Sequence, residues 1–345
     1  MVLLALLVVA SGCATLGWYG QAARGQAELL LARKDIEKAL VSPDLAPETR
    51  AGLERVGAIR DFAERELALP ADGSYESWVE LDRDAVVYNV IAAPEFSVAP
   101  RTWCYPIAGC VAYRGYFRRS AAERRARRLG ERGFDVQVSP AVAYSTLGRF
   151  DDPVTSPMLA RGELALAGLL FHELAHQRVY VPGDTAFNEA YATAVEREGV
   201  RRWLRSQQRL EPLRRWGDRL RLERAFVALL LEARAELEAL YRLDLPADAM
   251  RAAKRDRFGA LQARYRGFRL EHDSAAFDAY MSRPLNNAHL ALIATYEAGT
   301  DAFSDLLAEY GGNFGRFHEA VERLASADSD TRAEFLNRCR IQICP

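Results

Sequence analysis

Leu170-Phe171-His172-Glu173-Leu174-Ala175-His176-Gln177 is the stretch on which the reading of this 345-residue chain turns. It carries the pattern HExxH and follows an apolar run, 164–170, that contains no proline and favours helix throughout. Four residues on a helix make about one turn, so His172 and His176 share a face and both imidazoles can reach one ion. Glu173 lies next to the first of them, placed to take a proton from water beside the metal.

A catalytic zinc takes three protein ligands and keeps one position open. The turn Val181-Pro182-Gly183-Asp184 ends the first helix, and Asp184 or Thr185 can cap a second that begins Phe187-Asn188-Glu189-Ala190-Tyr191-Ala192-Thr193. A hairpin of two such helices brings the first turn of the second back over His172 and His176, which makes Glu189 the third-ligand candidate. The other histidines, His272, His289 and His318, stand at no metal-ligand spacing. One zinc ion per chain is therefore expected on His172, His176 and Glu189, with Glu173 as base.

Half of the residues are hydrophobic and 27% are charged, a globular balance, and the net charge of −1 gives no overall argument for nucleic acid. The run Arg124-Arg125-Ala126-Arg127-Arg128 alternates with Glu123 and Glu131 and reads as a solvated helix face. Residues 1–10 are almost wholly apolar and lead into Ser11-Gly12-Cys13, too short for a span but suited to a targeting segment. The arrangement Val9-Ala10-Ser11-Gly12-Cys13 is similar to a bacterial lipobox, with 1–12 as signal peptide and Cys13 as the lipidated first residue of the mature chain. The expected address is the periplasmic side of the cell envelope, anchored through that lipid. The remaining cysteines fall as two close pairs, Cys104 with Cys110 and Cys339 with Cys344, and read as small-loop disulfides of an oxidising compartment.

Hydrophobic periodicity predicts helices over 21–42 and 47–69. Between 75 and 148, β-branched and aromatic residues predict strands at 85–92, 105–117, 134–138 and 142–146, with an Arg-rich helix at 120–132, and hence a mixed sheet. The HExxH helix is expected over 156–180, the next to about 205, a charged antiparallel pair at 212–241 and 247–270, and shorter helices to the end. The predicted fold class is α+β, predominantly helical, as one domain over 13–345: sheet part at about 74–150, metal helices at 156–205, helical remainder at 206–345.

His172-Glu173-x-x-His176 followed by Asn188-Glu189 resembles the gluzincin pattern of thermolysin and aminopeptidase N. A wider set resembles a family of bacterial lipoproteins described as zinc aminopeptidases: Cys104-Tyr105-Pro106-Ile107-Ala108-Gly109, Tyr113-Arg114-Gly115-Tyr116-Phe117, Ser145-Thr146-Leu147-Gly148 with Asp151-Asp152-Pro153, and Pro284-Leu285-Asn286-Asn287-Ala288. The resemblance implies a zincin-like fold, zinc on His172, His176 and Glu189, and peptide hydrolysis with Glu173 as base. Two departures stand out: only 12 residues separate His176 from Glu189, and the Gly-Ala-Met-Glu-Asn strand that grips a free amino terminus is absent. Tyr296 is the candidate to stabilise the oxyanion, with His289 as rival. The segment 143–146 is a candidate edge for an extended peptide, and Asp151 and Asp152 either receive a substrate ammonium or cap a turn. The alternative function is a non-catalytic zincin scaffold that serves binding or assembly in the envelope.

Overall fold

The computed structural model describes residues 2–71, 73–106, 109–146, 150–293 and 299–341, with side chains described over 17–338. Tyr296, Cys344 and the side chains of Cys13 and Cys339 lie outside the described residues.

The first helix, α1 (Val2–Leu31), stops well short of the expected residue 42. Lys34 and Asp35 instead form β1 (Lys34–Asp35), antiparallel to β2 (Ser77–Val79), and Asp35 then caps α2 (Ile36–Leu40) by accepting from the Lys38 amide at 2.9 Å. Strand pairing and a cap have displaced a continuous helix. The helix α3 (Pro47–Leu67) starts on proline and ends at Ala68, whose φ of 50° is left-handed. Its buried stripe is Leu53, Val56, Ile59, Phe62 and Leu67.

β3 (Val87–Pro94) is the centre of an antiparallel sheet flanked by β6 (Arg114–Tyr116) and β7 (Phe134–Ala141). The helix α4 (Arg119–Gly130) covers one face of it, packing Ala122, Ala126 and Leu129 against Tyr88, Val90 and Ala92. The single strand expected over 105–117 is instead three pieces. β4 (Trp103–Tyr105) and β5 (Gly109–Val111) form a hairpin closed by the Cys104–Cys110 disulfide, and β6 follows separately. Gly109, at φ 72°, supplies the backbone that only glycine adopts freely. The strand expected at 142–146 is absent: after Ala141 the chain turns, and Thr146 donates through its amide (2.9 Å) and hydroxyl (2.8 Å) to Asp152. The candidate peptide-binding edge at 143–146 is therefore irregular backbone, tied to Asp152 through Thr146, and not a strand.

The mixed sheet is β1-β2-β8, one pairing antiparallel and one parallel. β8 (Val154–Thr155) leads into α5 (Ser156–Leu159) and α6 (Glu163–Arg178). The expected helix over 156–180 is thus broken at Gly162, whose φ is 81°. Trp78 and Val154 of this sheet share one core with α6, so a small mixed sheet stands beside the HExxH helix. α7 (Thr185–Ser206) runs back along α6; Phe62 of α3 packs on Phe171 of α6 and Trp203 of α7, while Phe187 and Tyr191 of α7 face Phe303. The long pair α8 (Leu210–Leu240) and α9 (Ala247–Glu271) has its own core, in which Phe277 stacks on Phe226 at 3.9 Å. After α10 (Asp278–Met281) and α11 (Asn287–Ala291), α12 (Thr300–Glu309), α13 (Phe314–Ala325) and α14 (Ser329–Ile341) close over α7 through Phe303, Phe317 and Phe335. The chain is a predominantly helical α+β protein.

Candidate metal centre

The helix α6 is apolar nearly all round, and burial of Leu166, Leu170, Phe171 and Leu174 fixes its rotation so that His172, Glu173 and His176 come to one side. The reversal into α7 depends on Asn188, which is 1% exposed. Its side-chain oxygen accepts from the Val181 amide and its nitrogen donates to the Val181 carbonyl, each at 2.8 Å. Asp184 caps α7 by accepting from the Phe187 amide at 3.2 Å, and its second oxygen accepts from Arg332 at 2.7 Å. A Cβ at Gly109 would overlap the backbone of Pro182-Gly183, so the disulfide hairpin braces the same turn from outside. Glu189, next to the locked Asn188, is thereby turned inward.

The ligand atoms of His172, His176 and Glu189 all lie within 4.8 Å of one another. The two Nε2 atoms are 3.1 Å apart, and Glu189 oxygens lie 3.4 Å from His172 Nε2 and 3.8 Å from His176 Nε2. Tetrahedral zinc with arms of roughly 2.0–2.1 Å needs donor separations of about 3.3 Å, which is the scale of this triangle. Two imidazole nitrogens and a carboxylate that converge in this way demand a shared cation or proton, and nitrogen and carboxylate donors suit zinc.

Glu196 completes the arrangement. Its Oε2 lies 3.1 Å from His172 Nδ1, so the imidazole is held by a carboxylate on the side away from the metal position. In the metal-free cluster, burial opposes protonation of His172, but Glu189 and Glu196 outweigh it and raise its pKa well above the usual range. Burial, with the charge of His172, pushes His176 down to about 4. Glu173 accepts no hydrogen bond among the described residues; burial, opposed by His172 and reinforced by Glu189, Asp152 and Glu196, pushes its carboxyl up to about 7.

Three tyrosines lie within electrostatic reach of these carboxylates. Burial and the charges of Glu189 and Glu173 lift the Tyr113 phenol, burial and Glu189 lift Tyr180, and burial with Glu173 and Asp152 lifts Tyr75. Tyr75 is buried at a left-handed φ of 61°. Tyr113 opens one of the stretches that carry the family resemblance, but nothing in the sequence points any of the three at the metal helices, because their placement is tertiary. His289 is committed to the cap of α11, where its Nδ1 accepts from the Asn286 amide at 3.2 Å. The neighbouring Asn287 is a staple: it donates to the carbonyls of Pro94 and Glu95 and accepts from Tyr241. Asp152 is spent on its turn, buried under Thr146 and Ser145. Tyr191 packs in the core with its hydroxyl 2.9 Å from His318 Nδ1.

No curated protein and no solved structure matches the chain. The family described as "Putative aminopeptidase" matches residues 17–336, nearly the whole of it, and to that family the chain belongs.

Proposed function

We propose that this protein is a zinc aminopeptidase anchored by a lipid on Cys13 to the periplasmic side of the cell envelope, with Glu173 as general base. The observation that carries the reading is the convergence of His172, His176 and Glu189 beside a carboxyl that accepts no hydrogen bond among the described residues. Zinc held by those three side chains would supply a Lewis acid next to Glu173. A carboxyl that titrates near 7 suits both halves of the reaction. It takes a proton from the attacking water and returns it to the departing amine, so the peptide C–N bond breaks as acid and amine form. Tyr75, Tyr113 and Tyr180, whose phenols feel the charges of Glu173 and Glu189, are the candidate hydroxyl donors for charge that develops on the carbonyl oxygen. Family membership favours attack at the amino terminus of a peptide.

The test is the full chain, purified from membranes and assayed for zinc and for release of amino acids from peptides and aminoacyl anilides. About one zinc per chain is expected, with Glu173→Gln losing turnover while keeping the metal. Zinc-loaded protein that cleaves neither a broad peptide library nor any anilide would leave the scaffold alternative in its place.

A further inference from the structure

The segment that follows Cys13 meets an unusual surface. Trp18 stands five residues beyond Cys13, roughly 7–8 Å along a helix. Its indole nitrogen donates to the Gly115 carbonyl at 2.8 Å, and the Phe117 amide donates to Gln21 at 3.1 Å. A Cβ at Gly25 would fall inside the Phe117 ring, so α1 lies directly along β6 and leads away from the α4 side of the sheet. Around Trp18 stand the rings of Tyr19, 4.9 Å away and 41% exposed, and Tyr105, 4.7 Å away. The Arg114 guanidinium sits 4.6 Å above the indole.

The arginines of α4 add a second, independent observation. At about 100° per residue, Arg124, Arg125, Arg128 and, in the following turn, Arg132 fall on one flank, while Glu123, Arg127 and Glu131 take the other. None of Arg101, Arg114, Arg124, Arg125, Arg128 and Arg132 has a carboxylate partner among the described residues, whereas arginines elsewhere pair readily, as in Arg251–Glu95 and Arg264–Glu236. Arg114 is 7% exposed with its Nε unpartnered, and the Arg125 Nε is likewise buried without a partner. Burial, together with the charges of Arg114, Arg101 and Arg132, holds Arg125 below its usual pKa, so these guanidinium groups act on one another. In a chain of net charge −1 such an unbalanced cluster is local, not compositional.

We propose that Trp18, Tyr19 and the flank of α4 carrying Arg124, Arg125, Arg128 and Arg132, backed by the buried Arg114, form a docking face for anionic phospholipid headgroups, which lays the protein against the bilayer beside its anchor. Aromatic residues at the tether and unpaired arginines next to them match the chemistry of an anionic membrane interface. The face rests on the proposed lipid anchor for its access to the bilayer, and it revises the reading of this helix as a merely solvated surface.

The full chain with Cys13→Ser, which cannot be lipidated at that position, is mixed with vesicles of phosphatidylcholine alone or with about one-quarter phosphatidylglycerol. Sedimentation should show strong preference for the anionic vesicles, lost at about 0.5 M salt. Arg124→Glu/Arg128→Glu/Arg132→Glu should lower partitioning roughly a hundredfold, with peptidase activity on a soluble substrate and thermal midpoint unchanged; Arg→Gln at the same positions gives a smaller drop should the reversal fail to fold. Equal binding to both vesicle types, or tighter retention of a DNA oligonucleotide than of anionic vesicles, overturns the face. The anchor is read separately, from the mass of the amino-terminal peptide of the membrane-extracted chain. Diacylation with no headgroup preference refutes the face alone, and headgroup preference without diacylation refutes the anchor alone.

Discussion

Glu196 Oε2 stands 3.1 Å from His172 Nδ1 across the α6–α7 pair, and seven residues, about two turns, separate it from Glu189 on the same side of α7. One helix face thus offers one carboxylate to the metal position and another to the back of a histidine that shares that position. A carboxylate there fixes the tautomer with Nδ1 protonated and leaves Nε2 as the donor to the metal. Glu196→Ala is expected to weaken zinc affinity about 10–100-fold, measured by competition with a chelator. Glu196→Gln, which keeps an oxygen acceptor, should recover part of that loss.

The approach of the two helices depends on glycines that cost helix stability where they stand. A Cβ at Gly199 would lie 2.7 Å from the Phe171 ring, and one at Gly168 would lie 3.1 Å from Glu196 Oε1. Alanine is intrinsically favoured over glycine in a helix by about 1 kcal/mol, so a surface site would gain from the change. Here Gly199→Ala should instead lose about 1–3 kcal/mol by overpacking, read in a denaturant titration. Gly168→Ala should unfold close to normally but bind zinc more weakly, because it displaces Glu196.

How much of this was legible in the sequence follows from how local each feature is. His172, Glu173 and His176 are set by spacing on one helix, and Glu189 by a turn of fixed length after it, so pattern alone reaches them. Glu196 depends on where two helices cross, and its only traces are Gly168 and Gly199 inside helical runs and the two-turn spacing from Glu189. Tyr75, Tyr113 and Tyr180 feel the carboxylates from separate segments; only Tyr113 stands in a stretch that carries the resemblance, and no local spacing ties any of them to the site. The misplaced boundaries have equally specific causes. Left-handed backbone at Gly109 and Gly162 divides segments whose hydrophobicity reads as continuous, and the carboxylate of Asp152 takes the Thr146 amide and hydroxyl, so 142–146 is not a strand despite its β-branched and aromatic residues.

Asn188 offers a test of how the turn serves the site. Its amide answers the N–H of Val181, which the reversal would otherwise leave unpaired, and adds a second donor to the Val181 C=O, which also accepts from the Asp184 amide. Asn188→Ala should cost about 1–3 kcal/mol by stranding the Val181 N–H. Asn188→Asp keeps the acceptor but sets an oxygen against the Val181 carbonyl. Both variants should lose zinc before they lose helix content, because Glu189 is the adjacent residue; metal content against far-ultraviolet circular dichroism through a denaturant series separates the two events.

His318 links three helices and sets a pH limit on stability. Fully buried, its Nε2 donates to the Leu67 carbonyl at 2.8 Å, which closes the end of α3, and its Nδ1 accepts from Tyr191 of α7 at 2.9 Å. That geometry needs the neutral ring, and burial pushes the pKa down to about 4. The unfolded chain, with an ordinary value near 6.5, binds a proton first as pH falls. Stability from this residue is therefore complete above about pH 6.5 and is lost progressively down to about pH 4, by about 2 kcal/mol between pH 7 and pH 5. Because burial depresses His289 in the same direction, the decisive measurement is a difference between proteins. His318→Gln should start less stable at pH 7 and decline less steeply toward pH 5 than the parent in urea titrations on metal-free protein. Parallel declines would show that His318 does not titrate on unfolding as its two hydrogen bonds require.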